Sequence, residues 1–250
     1  MGGMKPLLGC TALVTGASSG IGAATARALC AEGARVLLAA RRVERLRALA
    51  RELPGSVALK LDVRESDAVR AALEPYAIDI AVANAGLALG TERLQSGDPS
   101  DWSVVIDTNI KGVLHVIRAV TPGMVERGRG DLVLLGSVAG RQVYPGGNVY
   151  CATKHAVRAL YEGLRLDLAG TGLRFSTVDP GLVESEFSEV RFKGDSARAR
   201  QVYQGFQPLQ PADVAEAIRW IVTRPRHVNV GELVLWPTAQ ASTTQVQRRE

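Results

Sequence analysis

Tyr150 and Lys154 stand in the run Tyr-Cys-Ala-Thr-Lys, with Ser137 upstream in Leu-Gly-Ser-Val-Ala. In a helix of 3.6 residues per turn, positions i and i+4 share one face, so the phenol and the ammonium point the same way. A cation beside a phenol makes it more acidic. At about 4 Å and an effective dielectric of about 20 the attraction is about 4 kcal/mol, roughly three pKa units. A tyrosine so placed would titrate near neutrality and pass a proton at pH 7. Alone, Tyr-x-x-x-Lys is also a common exposed pair on an amphipathic helix, so its chemistry depends on its surroundings.

The surroundings include a glycine-rich turn near the N-terminus, Thr15-Gly-Ala-Ser-Ser-Gly-Ile-Gly22. The residues before it, Thr11-Ala-Leu-Val-Thr15, are β-branched and apolar without polar alternation, as expected of a strand buried on both faces. After it, Ile21 to Cys30 reads as a helix that ends before Gly33. Glycines in such a turn let backbone approach a pyrophosphate, and the N–H groups at the helix start attract its charge. The spacing is Gly-x-x-x-Gly-x-Gly, which departs from the general Gly-x-Gly-x-x-Gly dinucleotide fingerprint. By itself the cluster could equally be a tight strand-to-helix turn without a ligand.

These motifs, in this order, resemble the classical short-chain dehydrogenases/reductases, and the resemblance runs from Thr11 to about Trp236. It implies that Gly16, Ser18, Ser19, Gly20, Ile21 and Gly22 form a cofactor loop and that Asn84-Ala85-Gly86 closes the fourth strand. It implies a catalytic set of Ser137, Tyr150 and Lys154, with Asn109 supporting a proton-relay water. Tyr150 and Lys154 would also touch the cofactor, Pro180-Gly181 would be the turn beside its nicotinamide, and Val183 and Ser185 would bind the cofactor as well. Taken singly, Asn109 and Ser137 would pass as ordinary polar groups at a helix or strand end.

The second strand, Ala34 to Ala40, runs into Arg41-Arg42 where an NAD-binding chain would offer an acidic residue to the ribose. Guanidinium groups grip phosphate bidentately, so the doublet suits the 2′-phosphate of NADP(H), Arg41 more than Arg42. The bland reading is a solvated helix start, since Arg45, Arg47 and Arg51 follow. Asp62-Val63 ends a third strand. Asp62 resembles the family residue that contacts the adenine amino group, with a cap on the next helix as the rival role.

With 250 residues, 46% of them hydrophobic, the chain can bury one large core without staples. No run approaches the roughly 18 uninterrupted apolar residues of a membrane span, and Met-Gly-Gly-Met-Lys-Pro does not read as a leader, so a cytoplasmic protein off the membrane is expected. Cys10, Cys30 and Cys151 lack any Cys-x-x-Cys pattern, and His115, His155 and His227 lack ligand spacing, so neither disulfides nor a metal is expected. The net charge of +5 is dispersed among 25 acids, which argues for a solvated surface rather than a nucleic-acid partner.

Short apolar runs at Val57–Leu61, Ile78–Ala83, Leu132–Leu135, Arg174–Val178 and Leu233–Trp236 alternate with helical stretches. This pattern predicts an α/β fold, a doubly wound, Rossmann-type parallel sheet forming a single domain over residues 1–250. Its ligands should sit beyond the carboxyl ends of the strands, which is where Gly16, Arg41, Asp62, Asn84, Ser137 and Pro180 fall. An irregular lid is expected over about 182–210, and the polar tail 239–250 is expected either to be disordered or to contact a neighbouring subunit.

The lid, Val143–Tyr150 and His227–Val230 resemble the short-chain branch of NADP-dependent 3-hydroxy acid dehydrogenases, whose members act on serine, 3-hydroxypropionate and related small acids or semialdehydes. Arg191, and secondarily Arg141 or Lys193, could pair with a substrate carboxylate. Alternatively Arg191 pairs with Glu186 or Glu189 inside the lid. Arg141 stands where that branch leads one to expect a small residue. Besides an enzyme of small 3-hydroxy acids, a broad ketone or 3-oxoacyl-thioester reductase and a non-catalytic dinucleotide sensor remain open. The complete Asn, Ser, Tyr and Lys set speaks against the sensor. Similar proteins are mostly tetramers, which makes a homotetramer the expected assembly, with Ala152, Ala156, Ala159 and Leu160 supplying small apolar contacts or simply packing on the sheet.

Overall fold

The computed structural model describes residues 5–249; Met1 to Met4, which open the segment read as lacking a leader, and Glu250 lie outside the described residues. Thr11–Thr15 forms β1 and Gly20–Ala31 forms α1, followed by β2 (Arg35–Ala40), α2 (Val43–Glu52), β3 (Val57–Lys60), α3 (Ser66–Leu73) and β4 (Ile80–Ala83). The second half holds α4 (Pro99–Ile106), α5 (Gly112–Glu126), β5 (Gly130–Leu135), α6 (Asn148–Asp167), β6 (Leu173–Pro180), α7 (Phe187–Arg191), α8 (Ser196–Gln201), α9 (Pro211–Val222) and β7 (Glu232–Leu235). The strands form one sheet in the order β3-β2-β1-β4-β5-β6-β7, and every neighbouring pair is parallel.

The unbroken apolar runs follow from burial on both faces. Ala12 and Val14 point, with Val36 and Leu38, into a core that includes Ala26 and Leu29 of α1, Leu46 of α2 and Ile218 of α9. Leu13, Leu37 and Ala81 point the other way, among Val69 of α3, Val116 of α5 and Val157 and Tyr161 of α6. Each fully buried Leu, Ile or Val here is worth roughly 1.5–3 kcal/mol. The strand order reverses between β1 and β4, which opens a crevice at their carboxyl ends.

Two expectations need correction. The lid contains two short helices, α7 and α8, and Val183 pairs in parallel with Leu209, so the segment is less irregular than its sequence suggests. Helices of five and six residues are too short to display an apolar period. The tail, through residue 249, folds back onto its own chain. Gln240 is buried and accepts a hydrogen bond from the Leu182 N–H at 2.8 Å, the Thr243 N–H reaches Gln142 Oε1 at 3.1 Å, and the Arg249 N–H reaches the Gly205 carbonyl. Its polarity reflects attachment through amides and backbone rather than disorder.

Candidate active site

At the crevice Gly16 and Gly20 adopt φ of +69° and +52°, conformations that side chains disfavour. A Cβ on Gly16 would lie 2.8 Å from Asn84 Nδ2. That amide donates to the Thr15 carbonyl at 2.7 Å, while the Thr15 hydroxyl accepts from the Asn84 and Ala85 N–H groups at 3.0 Å each. The ends of β1 and β4 are thereby pinned around the glycine turn. The first turn of α1 carries no acidic residue, so the positive end of its dipole is left for an anion. A cleft of about 280 Å³ runs past Gly16, Ser18, Ser19, Gly20, Ile21, Arg41, Arg42, Asp62, Val63, Asn84, Ala85 and Gly86. Gly22 is outside its wall. A Cβ there would lie 2.4 Å from the Gly16 carbonyl oxygen, so Gly22 serves close packing of helix on turn.

The two arginines differ. Arg42 donates to Ser18 and Ser19 Oγ at 3.2 and 2.7 Å and pairs with Glu186 at 2.8 Å, and Arg45 pairs with the same carboxylate. Burial works to raise the Glu186 pKa, but its bonds to Arg45 and Arg42 win and hold it low. Arg41 is exposed at the cleft rim with no ion-pair partner among the described residues. A dipole end, two serines and an uncommitted guanidinium form a donor set that suits a pyrophosphate with a further phosphate on the ribose. Asp62 does not cap the next helix. Its carboxylate is held by Arg64, through Nε at 3.1 Å and Nη2 at 2.7 Å, and this hydrogen bonding lowers its pKa.

The cleft continues into a second of about 210 Å³, sharing Ile21, Asn84, Gly86, Leu135, Ser185 and Phe187 with the first. Ser137, Tyr150, Lys154, Pro180, Gly181, Val183 and Arg191 line this second part. Ser137 opens a 3₁₀ turn, Val138–Gly140, whose Ala139 N–H it caps at 3.1 Å. Lys154 is buried, its Nζ donating to the Leu135 carbonyl at 2.7 Å and lying 5.9 Å from the Tyr150 ring centroid. Burial lowers the Lys154 pKa to about 8, against the opposing pull of Asp179. The near-neutral Tyr150 expected from the sequence is not found. Burial, with Tyr144 adjacent, pushes the phenol above its ordinary range, only partly offset by a hydrogen bond with Ser137. The reason is physical: the ammonium is turned to a strand-end carbonyl, and burial of the phenol outweighs what charge lies near it.

Asn109 lies outside both cleft walls, buried in a π-helical turn, Asp107–Lys111, between α4 and α5. Its Oδ1 accepts from the Leu87 N–H at 2.9 Å, and Nδ2 donates to the Leu87 carbonyl at 2.8 Å and Thr153 Oγ1 at 3.1 Å. Both amide hydrogens are spent, so the side chain has no donor left for a relay water. It anchors the segment after β4 to α6. A π turn inside a helix is a frequent mark of a functional region.

Arg191 pairs with neither Glu186 nor Glu189. Its Nε donates to the Gly90 carbonyl at 3.3 Å, Nη1 to the Tyr144 hydroxyl at 2.8 Å and Nη2 to the Gly146 carbonyl at 3.3 Å, with the guanidinium carbon 5.2 Å from the Tyr144 ring centroid. Of its five N–H donors two remain, one on each terminal nitrogen, and no carboxylate balances its charge among the described residues. Arg141 is committed to Asp179 and Glu232, and Lys193 to Asp101 at 2.7 Å. Both alternatives to Arg191 are thus engaged elsewhere, and Arg141 is not part of the pocket wall. The sequence reading missed Tyr144, Phe187, Tyr203, Gln240 and Thr243 in that wall. Only Tyr144 carried a signal, its place in the loop before Tyr150.

A doubly wound parallel sheet with a glycine turn at its switch point and a Ser-Tyr-Lys pocket beside it defines a dinucleotide-dependent oxidoreductase. The short chain dehydrogenase profile matches residues 10–195. The chain belongs to the short-chain dehydrogenase family. It is 46% identical over 236 residues to the NADP-dependent 3-hydroxy acid dehydrogenase YdfG of Escherichia coli K12, covering 92% of this chain and 95% of that one. It is also 46% identical over 238 residues to sulfoacetaldehyde reductase 2 of Chromohalobacter salexigens, covering 92% and 94%. Among solved structures, the closed form of a serine dehydrogenase complexed with NADP+ superposes with a TM-score of 0.92 at 44% identity, covering 96% of this chain and all of that one.

Proposed function

We propose that this protein is an NADP-dependent dehydrogenase/reductase that interconverts the hydroxyl of a small 3-hydroxy acid and the corresponding carbonyl. Arg191 carries the reading: an unbalanced guanidinium with two free N–H groups faces the pocket that holds Ser137 and Tyr150. Such a pair of donors matches a carboxylate. Relatives named for NADP-dependent action on 3-hydroxy acids support the same class. Arg41, Ser18, Ser19 and the start of α1 would hold the phosphates of NADP.

When bound, NADPH supplies hydride to the carbonyl carbon. Tyr150, a phenol that burial keeps firmly protonated, gives its hydroxyl proton to the carbonyl oxygen. Ser137 holds that oxygen by a hydrogen bond and orients it toward the phenol. Lys154, charged below pH about 8, stabilises the phenolate left behind. Oxidation of the alcohol runs through the reverse transfers. The lid over 182–210 and the tail close the pocket. A cytoplasmic homotetramer belongs to the proposal. No helix among the described residues is long and apolar enough to cross a membrane, and Ala152 and Ala159 of α6 are exposed where a neighbouring subunit would pack, whereas Leu160 packs on the core.

The test is NADPH formation, followed by absorbance, with NADP and L-serine, D-serine, 3-hydroxypropionate or 3-hydroxyisobutyrate, set beside simple alcohols without a carboxylate. Turnover of the acids is expected, with kcat/KM falling about a hundredfold in Arg191→Ala, the order expected for loss of a charge-assisted pair. Turnover of neutral alcohols alone would replace the proposal with a broad ketone reductase. Silence toward every substrate despite tight NADPH binding would make the chain a sensor.

A further inference from the structure

Behind the pocket, outside both cleft walls, a charged network that the chemistry above does not use runs from a buried carboxylate to the surface. Asp179 sits one residue before the end of β6, with 4% of its side chain exposed. Arg141, immediately after the 3₁₀ turn that Ser137 opens, donates from Nε to Asp179 Oδ2 at 2.7 Å and from Nη2 to Glu232 of β7. Glu232 also lies 3.6 Å from Nε of Arg158, which is four residues beyond Lys154 on α6. Asp179 Oδ1 lies 1.8 Å from where a Cβ on Gly136 would be, so the residue before Ser137 must be glycine for this carboxylate to fit.

We infer that Asp179 and Arg141 act as a pair of positioning residues for the reaction, holding against the Pro180-Gly181 turn the Ser137 turn, which packs so closely on α6 that a Cβ on Gly140 would lie 2.6 Å from the Lys154 carbonyl oxygen. The inference rests on the assignment of Ser137, Tyr150 and Lys154 as reacting groups. Here the carboxylate bears on Lys154, opposing the burial that lowers its pKa. The charged groups that act on Asp179 are Arg141 from the 3₁₀ turn, which is bonded to it, Lys154 from α6 and Glu232 from β7, which shares Arg141. Burial raises the Asp179 pKa, and its hydrogen bond with Arg141 and the charges of Arg141 and Lys154 offset that rise only in part. Lys is a poor substitute for Arg141, because a point charge cannot bridge two carboxylates as the planar fork does.

The experiment compares wild type, Asp179→Asn and Arg141→Lys, all full-length, by kcat, KM and NADPH binding across pH. Asp179→Asn removes the charge that supports the Lys154 ammonium, so the Lys154 pKa drops and the alkaline fall in kcat moves to lower pH by about half a unit or more. Its kcat at pH 6 falls about tenfold while NADPH Kd at that pH stays within about twofold. In Arg141→Lys, kcat falls several-fold and the alkaline fall stays near its wild-type pH, so this variant carries the test should Asp179→Asn not fold. NADPH Kd against pH reads the Lys154 charge without turnover. A wild type silent toward all substrates would therefore sink the proposed function yet leave the shift in this binding profile to decide the inference. Unchanged kcat and an unchanged alkaline limb in the variants, with only a lowered melting temperature, would overturn it.

Discussion

Lys154 is a cation held in a nearly dry site by one carbonyl, and that placement sets a pH dependence. Burial brings its pKa down to about 8, so the ammonium is intact below that pH and lost as pH rises through it. Carbonyl reduction should therefore decline on the alkaline side with a midpoint near 8, measured as kcat against pH at saturating NADPH. A rate flat to pH 10 would show that the Lys154 charge is not needed. That Ser137, Tyr150, Lys154 and Arg41 line one crevice was readable because each follows a strand or lies on one face of α6, whereas Arg191 comes to the pocket only through the fold of the lid. The direction of the Tyr150 shift was not readable. It depends on the Leu135 carbonyl to which the Lys154 ammonium turns and on the burial of the phenol, to which Phe187 of the lid contributes, both of them contacts with residues distant in sequence.

At the scale of elements, the helix α1 can approach the turn after β1 only because Gly22 lacks a side chain. A methyl there would meet the Gly16 carbonyl oxygen at 2.4 Å and Asn84 Nδ2 at 2.6 Å, both fixed groups. Gly22→Ala should cost about 1–3 kcal/mol in denaturant unfolding and weaken NADPH binding, as overpacking does. Gly163 on α6 is the control: a Cβ there meets nothing within 4 Å, and Gly163→Ala should be neutral or stabilising by up to about 1 kcal/mol. Equal effects of the two substitutions would contradict this account of the turn. All seven strands were legible: burial on both faces leaves an unbroken apolar run in inner strands such as β1, β2 and β4, and the partly buried edge strands β3 and β7 still carry short apolar runs. The lid helices and the folded tail were not, because they are held by caps, amides and single hydrogen bonds such as Asp195 on the Arg198 N–H and Gln240 on the Leu182 N–H.

For the whole molecule, one sheet and two faces of helices complete the fold, and both clefts open on the same edge, at the carboxyl ends of the strands. Exposed apolar residues at Ile106, Leu114 and Leu166 lie on α4, α5 and α6, consistent with burial between copies. Light scattering at micromolar concentration should return four times the chain mass, and a monomer would refute the tetramer. The central claim, that Tyr150 is the proton donor of an NADPH-dependent reduction, is tested most directly by Tyr150→Phe, which keeps the ring packed against Phe187 and removes only the hydroxyl. NADPH consumption with the cognate semialdehyde should fall by at least about a thousandfold while NADPH Kd stays within a few-fold of wild type. Turnover within tenfold of wild type in that variant would contradict the claim.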